Sequence, residues 1–211
     1  RKNNSKTHQP QKYDERKNYQ MFYEYPLEGR PPMMTHIFEN PERKRIIAAK
    51  GAPEAILNVS TLSENEKTKL RSLVKTFGQK GFRVLGVAKS NFEGDKFPAS
   101  QQDFKFDFLG LVVFYDPPKK GIKKVFQQIY DAGIKVKVIS GDNTETTKSI
   151  AAQAGIINTA DAIEGKEIMD YSEEQVQQIS GEKILFTRMF PEAKLAVVNA
   201  LKKNRSEEHT S

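Results

Sequence analysis

The sequence predicts an α+β unit followed by a parallel-sheet α/β unit, and three features predict it. Strand-like runs with hairpin chemistry dominate before residue 115. A double proline in Asp116-Pro117-Pro118-Lys119 then interrupts the chain, as an interdomain hinge requires. Beyond it, helices of about ten residues alternate with short apolar strands, the pattern of βαβ units.

Element by element, Met33-Met34-Thr35-His36-Ile37-Phe38 and Arg45-Ile46-Ile47-Ala48-Ala49-Lys50 read as strands. The Asn40-Pro41 turn between them makes the pair a hairpin. Gly51-Ala52-Pro53-Glu54 is a turn, and Pro53 suits the first position of a short helix through Ala55-Ile56-Leu57. Ser63-Glu64-Asn65-Glu66 has capping-box spacing, so a helix starts there. Its expected apolar face carries Leu70, Leu73, Val74 and Phe77, and Gly78 and Gly81 are expected to end it. Residues 82–88 and 106–115 are further strands. After the prolines come a helix over 121–132, a strand over 134–140, a helix over 143–154 closed by Gly155, a strand over 183–187 and a helix over 191–203. Residues 1–20 are polar and without periodicity, and are expected to be loosely ordered.

Composition narrows the function. Hydrophobic residues make up 37% of the 211, and the longest apolar run, residues 109–115, is far short of a membrane span. Such a span requires about 20 residues. The start of the chain does not resemble a signal peptide, so any membrane part is expected outside this sequence. With no cysteine, disulfides and Cys-based zinc sites are excluded, and His8, His36 and His209 are too scattered for a His-based metal site. The net charge of +7 raises nucleic acid as a partner. Four of those charges come from residues 1–19, where Arg1, Lys2, Lys6, Lys12, Arg16 and Lys17 outnumber Asp14 and Glu15. The rest are spread along the chain rather than gathered in an aromatic-interleaved stripe, which argues against nucleic acid.

Two segments carry phosphate chemistry. In Val138-Ile139-Ser140-Gly141-Asp142-Asn143-Thr144 a strand delivers a hydroxyl, a glycine and a carboxylate to its C-terminal edge just before a helix. Ligands bind at that edge in open α/β sheets, and helix N-termini favour anions. On the residues alone, Asp142 or Asn143 serving only as a helix cap is an equal reading. In Phe186-Thr187-Arg188-Met189-Phe190-Pro191-Glu192-Ala193-Lys194 a second strand ends and a helix begins, with Lys194 in its first turn. A cation is unfavourable there with respect to the helix dipole unless it compensates a bound negative group; a solvated surface lysine is the plainer alternative.

Taken in order, five segments resemble the motifs of cation-transporting P-type ATPases. They are Lys50-Gly51-Ala52-Pro53-Glu54, Gly81-Phe82-Arg83-Val84-Leu85, Asp116-Pro117-Pro118-Lys119, Asp131-Ala132-Gly133-Ile134-Lys135-Val136 leading into Ser140-Gly141-Asp142-Asn143, and Arg188 through Lys194. The resemblance covers about residues 20–203, with a spelling similar to bacterial members of the calcium-pump-like branch. It implies a partial nucleotide-binding domain over 1–115, a hinge over 116–120 and a partial, haloacid-dehalogenase-like phosphorylation domain over 121–204. It further implies ATP-driven cation transport through an aspartyl-phosphate, with ATP and Mg2+ as cofactors. Ca2+ or another cation would be the cargo of a multi-pass membrane parent, with this segment on the cytoplasmic side. Lys50 and Gly51 would lie in the ATP pocket and Arg83 would reach the nucleotide phosphates. Asp116 would work at the hinge, and Arg188 would contact the nucleotide. Ser140, Gly141 and Asp142 would hold the transferred phosphoryl group, and Lys194 would neutralise its charge.

The sequence departs from the family in places. Ser140 stands where threonine is usual and Lys119 where arginine is usual. Tyr25 is a candidate for the adenine-stacking ring, with Leu27 the alternative at the aligned place. No Asp-Lys-Thr-Gly-Thr is present, nor the Gly-Asp-Gly-Val-Asn-Asp segment with its magnesium-binding carboxylates. The chain is therefore expected to be an internal piece that binds ATP weakly and does not turn it over. Residues 205–211 do not resemble the family and are set aside as of doubtful origin. The rival readings are a haloacid-dehalogenase-type phosphatase with a cap domain, and a non-enzymatic nucleotide-binding module.

Overall fold

A computed structural model describes residues 15–92, 94 and 96–208. His8, His209 and residues 1–14 of the loosely ordered start therefore lie outside the described residues. Of that start, residues Glu15–Asn18 form a 3-10 turn, and β1 (Gln20–Glu28) begins directly afterwards. The expected hairpin follows as β2 (Met33–Glu39) and β3 (Arg45–Gly51), antiparallel in register Met33↔Gly51 through Glu39↔Arg45. Pro53 opens α1 (Pro53–Val59) at its first turn, where its missing N–H is harmless.

Next come α2 (Glu64–Gln79), β4 (Arg83–Ser90) and β5 (Asp107–Phe114). Past the prolines lie α3 (Ile122–Asp131), β6 (Val138–Ile139), α4 (Thr144–Ala154) and β7 (Ala162–Glu164). The chain continues through α5 (Gly165–Met169), α6 (Glu173–Glu182), β8 (Leu185–Thr187) and α7 (Pro191–Glu208). The fold class is mixed: a five-stranded sheet in the order β1-β2-β3-β4-β5, and a three-stranded parallel sheet in the order β6-β8-β7. Among the described residues no helix is long and apolar enough to cross a membrane.

Two compact units result. One holds the described residues up to Ser63 together with Gly86–Leu111; the other holds Glu64–Leu85 and the described residues from Val112 onward. The sequence reading places all of 1–115 in one part, whereas α2 and the start of β4 join the second unit.

In the first unit, period-2 burial along β2 sends Met33, Thr35 and Ile37 inward, where they meet Tyr25, Ile47, Ala49, Ile56, Phe104 and Phe106. Two fully buried polar side chains, Thr35 and Gln101, meet within this core. Gln101 donates to the Met33 carbonyl at 3.0 Å and the Pro26 carbonyl at 3.2 Å, and accepts from Thr35 Oγ1 at 3.0 Å. Fully satisfied, it ties β1 and β2 to the turn before β5.

In the second unit, Ile163, Ile168, Val176, Phe186, Met189, Ala193, Val197 and Ala200 form the core between the parallel sheet and its helices. The helix α2 packs on α4. Val74 is its buried apolar residue, Leu70 and Phe77 are half-buried, and Leu73 faces outward, against expectation. Gly78 is the penultimate residue of α2 rather than its terminator, and the close approach of α4 favours glycine there: a Cβ would stand 3.1 Å from Glu145 Cβ. Gly81, at φ +81°, is the terminator: Phe82 N–H donates to Phe77 O and Gly81 N–H to Gly78 O, a Schellman closure.

The expected strand over 134–140 shrinks to Val138–Ile139. As the edge strand it has one neighbour, β8, which offers three residues to pair with. Lys137 instead turns its ammonium to the carbonyls of Gly181 and Lys183, both at 2.6 Å, at the end of α6. Burial, then neighbouring Lys135, hold its pKa below the ordinary lysine value. At the other end, α7 runs to Glu208, five residues past the expected Lys203 and into the segment set aside.

Replacing Gln101 with Leu is expected to lower unfolding free energy by about 2–4 kcal/mol, since two carbonyls and a hydroxyl lose their partner inside the core. Urea unfolding of the variant against the unmodified chain measures it.

Candidate phosphate site at the tips of the parallel sheet

The strands β6 and β8 are parallel neighbours, so both C-terminal ends open on one edge of the sheet. Backbone hydrogen bonds continue past the strands and join the two turns. Ser140 N–H donates to Phe186 O at 2.8 Å, Met189 N–H to Ser140 O at 3.0 Å, and Arg188 N–H to Asp142 O at 2.9 Å. Arg188 accepts a left-handed backbone, φ 49°, to make the last of these.

The cap ambiguity resolves in favour of Asn143. Its side chain accepts the Thr146 N–H at 2.9 Å and opens α4, which leaves the Asp142 carboxylate outside the cap. Ser140 Oγ accepts the Asp142 N–H at 3.1 Å, a tight local turn that sets the hydroxyl beside the carboxylate. Asp142 Oδ1 lies 3.0 Å from Arg83 Nε. Arg83 opens β4, and the connection from α2 just before it is anchored on α4 by a hydrogen bond from Thr146 Oγ1 to Phe82 O at 2.9 Å. Gly141 is exposed, and an added Cβ would meet only Met189 O, at 3.6 Å, so packing alone does not require glycine there.

The third strand also contributes, which the sequence reading missed. Glu164, at the end of β7, accepts from Thr144 Oγ1 at 2.7 Å and pairs with Arg188 Nε at 3.2 Å. Thr144 and Thr187 hydroxyls are 2.9 Å apart. Three strand ends therefore assemble one polar edge: Ser140, Asp142 and Thr144 after β6, Thr187 and Arg188 at β8, and Glu164 at β7. A three-residue strand shows no period, so Glu164 gave no signal of its own.

A family model described as P-type ATPase, cytoplasmic domain N, matches residues 4–121. A calcium-transporting ATPase of Bacillus subtilis is 30% identical over 199 residues, covering 89% of this chain and 22% of that protein. The human calcium-transporting ATPase type 2C member 1 is 28% identical over 176 residues, 78% of this chain and 18% of that protein. A magnesium-transporting ATPase, P-type 1, of Salmonella typhimurium is 28% identical over 173 residues, 76% of this chain and 19% of that protein. The chain belongs to the P-type ATPase family.

This P-type ATPase chain spans about a fifth of the length of the curated relatives it matches. Its remaining candidate residues are distributed as follows. Lys194 is exposed in the first turn of α7, and among the described residues its ammonium has no hydrogen bond or ion pair. Asp116 is exposed between β5 and α3. Lys50 and Gly51 belong to the other unit. Lys50 is exposed on β3, and Gly51 is a forced glycine, because a Cβ would stand 2.6 Å from both Pro32 O and Met33 Cα.

Tyr25 requires a correction. It is 4% exposed, packed edge-on against Phe104, with its hydroxyl donating to the Pro98 carbonyl. Burial, then Tyr23 and Asp103, raise its pKa above the ordinary tyrosine value. A ring enclosed by the core presents no face to adenine. Leu27, on the same strand, is 63% exposed.

With its Arg83 side chain 61% exposed and that of Asp142 32% exposed, the pair between them stabilises the fold by only ~0.2–1 kcal/mol. Arg83→Gln is expected to lower unfolding free energy by less than about 1 kcal/mol at low salt. The difference should vanish near ~1 M NaCl, where screening acts within about 3 Å; paired urea titrations at the two salt concentrations check this.

Proposed function

We propose that this chain supplies nucleotide-binding and phosphoryl-holding parts of an ATP-driven cation transporter that works through an aspartyl-phosphate. In this reading residues 1–115 act as the nucleotide-binding domain, 116–120 as the hinge and 121–204 as a haloacid-dehalogenase-like phosphorylation domain, with 205–211 outside both. The observation that carries it is the polar edge of the parallel sheet, where Ser140, Asp142 and Arg188 are joined by backbone hydrogen bonds between adjacent strand tips. Phosphoryl transfer relies on positioning and charge stabilisation, and this edge supplies both.

Each residue has a task in that scheme. Ser140, the Gly141 backbone and Asp142 hold the transferred phosphoryl group, while Arg83 reaches the nucleotide phosphates and balances the charge of Asp142. Arg188 meets the nucleotide, and Lys194 neutralises the transferred group from the first turn of α7. Lys50 and Gly51 line the ATP pocket in the other unit, and Asp116 serves the hinge. Mg2+ enters as the ATP complex, where it would neutralise phosphate charge. The relatives' names divide between calcium and magnesium, and we take Ca2+ or a related cation as the cargo of a membrane-embedded parent.

Isothermal titration of ATP into the chain is expected to show weak binding, with a dissociation constant of roughly 0.1–1 mM. Lys50→Ala and Arg83→Ala should each weaken it by about five- to tenfold, the loss of one charge-assisted contact. No ATP turnover should accompany binding, because the sequence has no Asp-Lys-Thr-Gly-Thr. Absent binding at several millimolar ATP, or hydrolysis by the chain alone, would contradict the reading.

A further inference from the structure

We propose that Glu164 is a positioning residue for Arg188, holding its guanidinium at the edge of the parallel sheet through an acceptor relay built from Thr144 and Thr187. The proposal rests on the reading above that Arg188 meets the nucleotide. Arg188 is the residue most in need of restraint. It carries a long side chain rich in rotamers, on a backbone already turned to φ 49°. The peptide is fixed by its N–H bond to Asp142 O, and the side chain is gripped at Nε by Glu164 Oε1, 3.2 Å away. Contact at Nε, the donor nearest the aliphatic stem, restrains the guanidinium close to its root.

The proton count decides the direction of the relay. Thr144 gives its hydroxyl proton to Glu164 Oε1 at 2.7 Å, so in the 2.9 Å contact between Thr144 and Thr187 the proton comes from Thr187. That proton is shared with the Ile163 carbonyl at 3.3 Å. The relay thus runs from Thr187 through Thr144 to the Glu164 carboxylate, and the Arg188 guanidinium is ion-paired to the same oxygen. Thr187 is fully buried, which ties the chain of hydroxyls to the core rather than to solvent.

A carboxylate near a phosphate site could instead act by reducing the positive charge of Arg188, and the two roles make opposite forecasts. If Glu164 positions, its acceptor oxygen matters more than its charge. If it only attenuates, removing the charge strengthens anion binding. ATP affinity of the chain should therefore fall about three- to tenfold in Glu164→Ala and stay within about twofold in Glu164→Gln, which keeps an acceptor. In an Arg188→Ala background Glu164→Ala should change nothing further. The Arg188 Nε–H resonance, followed by NMR, should be protected in the unmodified chain and in Glu164→Gln and lost in Glu164→Ala, with the backbone amide spectrum reporting the fold. Should Glu164→Ala not fold, Thr144→Val, which removes one relay hydroxyl, is expected to weaken both readouts in the same direction.

Equal or tighter ATP binding by Glu164→Ala, an undiminished effect in the Arg188→Ala background, or an unchanged Nε–H signal would overturn the proposal. If Arg188→Ala itself binds ATP normally, the nucleotide role of Arg188 fails. The Nε–H signal then still decides whether Glu164 holds the side chain.

Discussion

The polar edge of the second unit depends on three backbone hydrogen bonds past the ends of β6 and β8, made by Ser140, Arg188 and Met189. Without them, two turns of polar residues would be loops free to diverge, and no side chain on them would have a fixed neighbour. With them, the peptide of Arg188 is set against Asp142 and the hydroxyl of Ser140 against the same residue. The edge strand β6 is only two residues long, so these extra bonds do much of the work that a longer ladder would do.

Charge at this edge is balanced locally. Asp142 faces Arg83, and Glu164 faces Arg188, so each carboxylate has an arginine within 3.2 Å. Ion pairs this exposed contribute little to stability, because water screens them and the side chains lose freedom in forming them. Their value lies in orientation: a guanidinium held at Nε points its fork in a defined direction. Lys194 is exposed in the first turn of α7, where the helix dipole disfavours a cation.

The first unit organises itself differently. Its sheet is a succession of antiparallel strands from β1 to β4, whose inward faces follow period 2 and meet around Ile56 and Phe106. Gln101 closes the core with three hydrogen bonds where an apolar residue would leave carbonyls unpaired. Gly51 sits where the chain passes within 2.6 Å of backbone atoms, so this glycine is explained by packing as well as by any ligand.

The hairpin, the α1 start at Pro53, the α4 stop at Gly155 and the two strand tips were legible in the sequence, because turn residues, caps and periodicity are local signals. The family was legible too, since five ordered motifs survive without any knowledge of contacts. What tertiary structure alone decided were matters of partnership. That Asp142 is paired with Arg83, that α4 packs close on Gly78, that Tyr25 is core rather than platform, and that Glu164 reaches Arg188 all depend on chain segments distant in sequence. The physical reason is that local propensity fixes where an element begins and ends, whereas the use of a side chain is fixed by what packing brings within hydrogen-bond distance of it.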